Sequence, residues 1–183
     1  MTETVRPPPP RLLPERAFPP YAYLPGRTPH PTRDPDGHSH GLAHEDPAPP
    51  DPAQWRACGD YLYSIDLFNH GFYWEAHEAW EGLWVACGRR GATATFLQGL
   101  INLAAAGFKA RWGNARGLRA NADTAYRLFA AAAREIGPGA RYMGLDVGWL
   151  AERAATFAQA QPAVRRSEDG SPSLAFDVVL RPE

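Results

Sequence analysis

Proline divides this chain into two unequal parts. Fifteen of its 19 prolines lie at or before Pro52, and the next one is Pro138. Each proline removes a backbone N–H donor and biases the preceding residue toward extended geometry, so neither a continuous helix nor a central strand can form where prolines are this dense. We therefore predict a proline-rich N-terminal arm over residues 1–51, followed by a regularly folded domain.

The middle of the arm, residues 18–41, differs in composition from its two ends. It concentrates aromatic and imidazole side chains: Phe18, Tyr21, Tyr23, His30, His38 and His40. Disordered segments are poor in aromatic residues, because they cannot bury enough apolar surface to offset the entropy of ordering the chain. We expect this stretch to pack on the domain, whereas composition leaves order and disorder equally open for residues 1–17 and 41–51.

Helical periodicity begins at Pro52. From there to residue 161, apolar residues recur at steps of three and four, and short connections between the periodic segments favour antiparallel neighbours. The predicted helices span residues 52–69, 72–87, 95–112, 114–136 and 147–160. The predicted fold class is therefore all-α, an up-down helical bundle of about five helices over residues 52–161.

Side chains that favour helix N-termini mark three of these boundaries. Asp51 directly precedes Pro52, which suits the first position of a helix. Thr95 and Gln98 have the spacing of a capping box before an apolar run, and Asp146 precedes the fifth helix. We predict all three boundaries from these caps.

The C-terminal tail, residues 162–183, has a different period. Four apolar residues alternate with other residues in it: Leu174, Phe176, Val178 and Leu180. Alternation at a period of two is typical of an extended chain with one buried face. We predict a short strand-like strap here.

The charge balance excludes several classes of function. The chain has 19 basic and 20 acidic side chains and a net charge of −1, whereas proteins that bind nucleic acid or anionic lipid through broad electrostatics are strongly basic. Lys109 is the only lysine and no GxxxxGK[ST] string is present, which excludes P-loop chemistry. The most apolar stretch, residues 96–108, is too short to cross a bilayer. We predict no nucleic-acid partner and no membrane span.

The cysteine content indicates the compartment. Cys58 and Cys87 lack the CxxC spacing of a redox or zinc pair, and two cysteines do not make a disulfide scaffold. A reducing environment fits this usage best. We predict a cytoplasmic protein that is a monomer or a small homo-oligomer.

Residues 69–84 are the most unusual part of the sequence, with three tryptophans and three glutamates. At 100° per residue, His77 and Glu81 share one helical face, and tryptophans flank it on both sides. We expect this face to turn inward and the pair to be partly buried. No Lys or Arg lies within residues 72–87, so a positive group should balance the acidic stripe. Protonated His77, an arginine from the next helices and a metal ion are the alternatives that the sequence leaves open.

The metal hypothesis rests on the spacing of the polar residues. His77 and Glu81 lie at i, i+4, and Glu78 beside them occupies the position of the general base in H-E-x-x-H hydrolases, although the string here is H-E-x-x-E. A catalytic zinc needs about three protein ligands, and His30 and His38 of the arm are candidates for the missing ones. The predicted ligands of a zinc, manganese or iron ion are therefore His77, Glu81, His38 and His30, with Glu78 catalytic.

This ligand set predicts hydrolysis of an unknown small molecule at a carbonyl or phosphoryl centre. The alternative is a non-enzymatic structural or interaction protein with a protein partner. In that case His77 and the glutamates would form a buried hydrogen-bond network, satisfied across the bundle by Gln98 and Asn102.

Two long strings within residues 57–150, FNHGFYWEAHEAWEGLW and FLQGLINLAAAGFKARWGN, resemble the domain of unknown function family 309 (DUF309). The resemblance implies a small all-α protein without an established activity. It also implies that the H-x-x-W-E pattern, here His77, Trp80 and Glu81, belongs to a functional site. The arm is similar to an N-terminal extension in part of the family, which implies that His30 and His38 belong to the same site.

Overall fold

Helices occupy the region of the chain that is almost free of proline. The computed structural model describes residues 9–42, 46–137, 139–159 and 170–183. Within them, a short 3-10 helix, Pro52–Ala57, precedes five α-helices: α1 Gly59–Asn69, α2 Tyr73–Ala86, α3 Gly91–Arg111, α4 Ala115–Ile136 and α5 Val147–Gln159. The predicted all-α bundle is confirmed. The predicted boundary between bundle and tail, at residues 161–162, lies outside the described residues.

Each helix packs against its neighbour in the sequence, from α1 against α2 through to α4 against α5. Glycines allow the closest approaches. A Cβ on Gly99 of α3 would overlap the ring of Phe129 of α4, and one on Gly107 would overlap the ring of Tyr73 of α2. The largest fully buried side chains are aromatic and lie between these helices: Trp80, Tyr61, Tyr73, Phe68, Phe96 and Phe129. None of the described helices is both long and apolar enough to cross a membrane.

Of the three predicted helix caps, Asp51 and Asp146 are present and Thr95 is not. Asp51 accepts from the amide of Ala53 at 2.9 Å, and Asp146 accepts from the amide of Trp149 at 2.9 Å, as their spacing predicts. The first predicted helix is broken at Cys58, where the backbone is extended (φ −86°, ψ 91°). The third begins at Gly91, so Thr95 lies inside it and bonds to the carbonyl of Gly91 instead of capping.

Two short strands, β1 Arg141–Tyr142 and β2 Leu145–Asp146, pair antiparallel between α4 and α5. This hairpin was not predicted, because strands of two residues are too short to show a period in the sequence. Met143 (φ 46°) and Gly144 (φ 81°) form the turn with left-handed backbone. A side chain at Gly144 would also overlap the ring of Trp55, so this position requires glycine on two counts.

The C-terminal strap is held by side chains rather than by a neighbouring strand. Asn69, buried on α1, donates from Nδ2 to the carbonyl of Leu180 and accepts through Oδ1 from its amide, both at 2.8 Å. The hydroxyl of Tyr73 accepts from the amide of Ala175 at 3.0 Å, and burial raises the pKa of Tyr73 to about 12. Phe176, Val178 and Leu180 are buried, in line with the predicted alternation, whereas Leu174 is exposed.

The arm is held in the same way. The carboxylate of Asp66, fully buried on α1, accepts from the amides of Leu12 and Leu13 at 2.8 and 2.9 Å. Farther along, the ring of Phe18 stacks on that of Phe72 with centroids 4.9 Å apart. The expectation that residues 18–41 pack on the domain is confirmed by this ring contact and by the contacts of Tyr23 with α2 described below.

We predict that Asn69→Ala destabilises the protein by about 2–4 kcal/mol, because it leaves a buried amide and a buried carbonyl of Leu180 without partners. Urea unfolding measures the change. Asn102→Ala is the matched control, since its Nδ2 bonds only the carbonyl of Gln98 on its own helix, and it should cost less than about 1 kcal/mol. Equal losses in the two variants would contradict the role of Asn69 as a clamp.

Candidate metal site on helix α2

Helix α2 begins directly after a turn that only glycine fits. Gly71 has φ +83°, and a Cβ at this position would lie 2.6 Å from the carbonyl oxygen of Ser173 in the strap. The strap therefore crosses the start of α2 at close range. From Tyr73 onward the helix presents successive residues at 100° steps, so Glu75 and His77, two residues apart, lie on opposite sides.

The outer side of α2 brings three candidate ligands together. His77, Glu78 and Glu81 each offer one ligand atom, and these atoms lie within 4.8 Å of one another. Nδ1 of His77 is 3.3 Å from Oε1 of Glu78. Ligand atoms 2.0–2.2 Å from a tetrahedral zinc ion lie about 3.3–3.6 Å apart, so the side chains must close by about 1 Å to hold a cation.

The orientation of this face differs from the expectation. The side chains of His77 and Glu78 are 28% and 45% exposed, and Glu81 also reaches solvent. The buried stripe of α2 consists of residues at three- and four-residue steps: Tyr73, Ala76, Trp80 and Leu83. His77 is partly buried, as expected, but the face that it shares with Glu81 does not turn into the core; that part of the prediction relied on Trp74 and Trp84, both of which lie at the edge of the buried surface.

The inner side of α2 holds an arm contact instead. Glu75 is 6% exposed, and its Oε1 accepts from the amide of Tyr23 at 2.7 Å. Nε2 of His38 lies 3.5 Å from the same oxygen, with both side chains almost fully buried. Within the described part of the chain, Oε2 of Glu75 and Nε2 of His38 have no hydrogen-bond partner. Nε2 of His38 therefore faces Oε1 of Glu75 without a hydrogen bond to it.

His38 makes further contacts within the arm. Its Nδ1 lies 2.8 Å from the hydroxyl of Ser39, and its backbone amide donates to the hydroxyl of Tyr21. The rings of Tyr21 and His38 meet edge to face with centroids 4.8 Å apart. The structure thus places His38 with Glu75 and not with His77, because the two helix residues face opposite sides.

His30 lies apart from both groups. Its Nδ1 accepts from the amides of Thr32 and Arg33 at 3.3 and 3.4 Å, which ties the imidazole to its own turn. Its ring meets the edge of Trp74 with centroids 5.6 Å apart and tilts against Tyr23 at 5.0 Å. Burial raises the pKa of Tyr23, so its phenol stays protonated in this cluster.

The alternative prediction, a buried hydrogen-bond network, does not describe His77, Glu78 and Glu81, the outer group of α2. Nδ2 of Asn102 donates to the carbonyl of Gln98 at 2.8 Å on its own helix, rather than across the bundle to α2. His77 and Glu78 also reach solvent, where water satisfies polar atoms. Arg111 is one of the arginines that could balance the negative charge of the glutamates on α2. Its guanidinium donates to the carbonyls of Gly71 and Ser171.

Residues 61–121 match a family described as Domain of unknown function (DUF309). This segment belongs to the DUF309 family. The match runs from α1 into α4 and includes the outer group of α2, and it confirms the resemblance seen in the sequence. No curated protein matches the chain. The DUF309 match therefore covers the region of interest without indicating its chemistry.

We predict that Glu75→Ala loosens the arm while the bundle stays folded. The change leaves the amide of Tyr23 unpaired and removes the charge opposite His38, which costs about 1–3 kcal/mol. Limited trypsin digestion should cut faster after Arg27 and Arg33 in the variant than in the wild type. Glu81→Ala, a change of the same chemistry on the outer side, is the control; equal acceleration in both variants would contradict the contact.

Proposed function

We propose that the outer face of α2 binds one divalent cation through His77, Glu78 and Glu81. The single observation that carries the proposal is the grouping of their ligand atoms within 4.8 Å. One imidazole nitrogen and two carboxylates suit zinc, manganese and iron better than they suit magnesium or calcium, which prefer oxygen ligands alone. Three protein ligands also leave coordination positions open for water and substrate.

The charges around the group support a cation. Glu78 and Glu81 lie close together, and α2 carries no Lys or Arg to offset them. Like charges on adjacent helical turns weakly destabilise a helix, so a bound cation would relieve this repulsion. The exposure of His77 and Glu78 allows the ion and a substrate to enter from solvent.

The reaction that this ligand set favours is hydrolysis of a small molecule at a carbonyl or phosphoryl centre. A bound divalent cation supplies a water molecule of lowered pKa and polarises the substrate oxygen. We assign Glu78 as the third ligand, and the general-base role predicted from the sequence is the alternative that the Glu78→Gln variant below tests. In this proposal His38 and His30 hold the arm in place, since their contacts are to Glu75 and to Trp74.

We expect the wild-type protein, after incubation with zinc, manganese or ferrous ions and removal of the excess, to retain about one ion per chain by elemental analysis. His77→Ala and Glu81→Gln should weaken binding about tenfold or more, because each removes one of three ligands. His38→Ala should keep the ion. A wild type without metal, or a His77→Ala variant that loses thermal stability but binds the ion normally, would contradict the proposal and favour a structural role.

Glu78→Gln separates the two roles of Glu78. Loss of the ion in this variant assigns Glu78 as a ligand. Retention of the ion with loss of hydrolysis, measured against the wild type on small ester and phosphoester substrates, assigns it as the base. Glu135→Gln, an exposed change on α4, is the control for general effects of removing a carboxylate.

A further inference from the structure

A cavity of about 290 Å³ lies beside the proposed cation site, between helices α2, α3 and α4. It is lined by Trp74, His77, Ala105, Phe108, Lys109 and Asn121. Small-molecule sites range from about 300 to 1,000 Å³, and a cavity of about 150 Å³ already holds benzene. This one is therefore large enough for a single ring with a substituent.

The aromatic wall of the cavity is fixed by the arm. Tyr23 meets Trp74 edge to face, with centroids 5.2 Å apart, and it stacks parallel to Phe108 at 6.1 Å. His30 also meets Trp74 in a T-shaped contact, with ring centroids 5.6 Å apart. Rings held in this way need little reordering when a flat ligand enters, which lowers the entropy lost on binding.

Lys109 gives the cavity a charge. Its ammonium lies 4.8 Å from the ring centroid of Trp112 and 5.2 Å from that of Phe108. No carboxylate lies within ion-pair distance of it in the described residues, whereas Arg16, Arg127 and Arg141 each pair with one. Lys109 as a whole is partly buried, and its ammonium beside the aromatic faces can form a charge-assisted hydrogen bond with an anion that reaches it.

The stem of Lys109 is held in one place by its neighbours. Its Cγ lies 3.0 Å from the position that a Cβ on Gly117 would take, so the missing side chain of Gly117 makes room for it. Asn121, one turn farther along α4, uses Nδ2 to donate to the carbonyl of Gly117 at 2.8 Å. This leaves its Oδ1 and its second N–H for a polar group of a ligand.

We propose that this cavity binds a small organic anion with a flat apolar body, of the class of aromatic carboxylates. The body lies against Trp74 and Phe108, and the carboxylate pairs with Lys109. The inference deepens the proposed function, because it rests on His77 being shared between the cavity and the cation site. A cation there offsets Glu78 and Glu81, which would otherwise repel an anion, so metal and anion should strengthen each other's binding.

Benzoate and its uncharged analogue benzamide are matched probes for this inference. Titration of the wild-type protein, with and without manganese, should show benzoate binding about tenfold or more tightly than benzamide, and more tightly with the ion present. Lys109→Met keeps the apolar stem and should lose the preference for benzoate, whereas Lys109→Arg should retain it. Arg134→Met, an exposed change on α4, should bind as the wild type does.

Equal affinity for the two probes, no saturation up to roughly 10 mM in either form, or an unchanged preference in Lys109→Met would overturn the inference. A thermal unfolding scan of each variant separates lost binding from lost folding. Retained benzoate preference in a protein that binds no ion overturns the proposed function alone. Retained ion binding without benzoate preference overturns this inference alone.

Discussion

Buried polar side chains on the helices satisfy the backbone of two extended segments, which pair with no strand among the residues that the structure describes. Every backbone N–H and C=O that leaves water needs a partner, and an unpaired one costs about as much as a lost hydrogen bond. Asp66 accepts from backbone amides at the start of the arm, and Glu75 accepts from a backbone amide in its middle. Asn69 provides both an acceptor and a donor for the backbone of the strap. The arm and the strap can therefore lie on an all-α bundle without a sheet.

This arrangement divides α2 into two sides with different tasks. The inner side combines the buried stripe with Glu75 and holds the arm, whereas the outer side presents His77, Glu78 and Glu81 to solvent. The arm links the two sides, because Tyr23 bonds to Glu75 through its amide and supports Trp74 through its ring. Holding the arm thus also shapes the cavity beside the outer group.

Much of the fold could be predicted from local sequence. The loss of proline after Pro52 and the three-and-four periodicity gave the number and order of the helices, and Asp51 and Asp146 cap as their spacing predicts. These features depend on residues within one or two helical turns. The break at Cys58 and the early start of α3 at Gly91 depend on backbone conformations that side-chain periodicity does not report.

The candidate site was only partly predictable. The grouping of His77, Glu78 and Glu81 follows from helical spacing, and the structure brings these three together. The partner of His38 could not be found in that way, because His38 and Glu75 are distant in sequence and either side of α2 was open to it. The apolar residues from Tyr73 through Trp80 recur at three- and four-residue steps and indicate the buried side of α2. This spacing places Glu75 near the buried side and His77 outside it, whereas the expectation of an inward face rested on Trp74 and Trp84.

The division of α2 is tested most directly by measuring manganese affinity and the thermal unfolding midpoint of Glu75→Gln and Glu81→Gln side by side. The account predicts that Glu75→Gln lowers the midpoint by about 3–6 °C, equivalent to ~1.5 kcal/mol for a chain of this size, with unchanged ion affinity. Glu81→Gln should weaken ion binding and leave the midpoint of the metal-free protein in place. Loss of ion binding in Glu75→Gln would contradict the account, since it would put Glu75 and His38 at the metal.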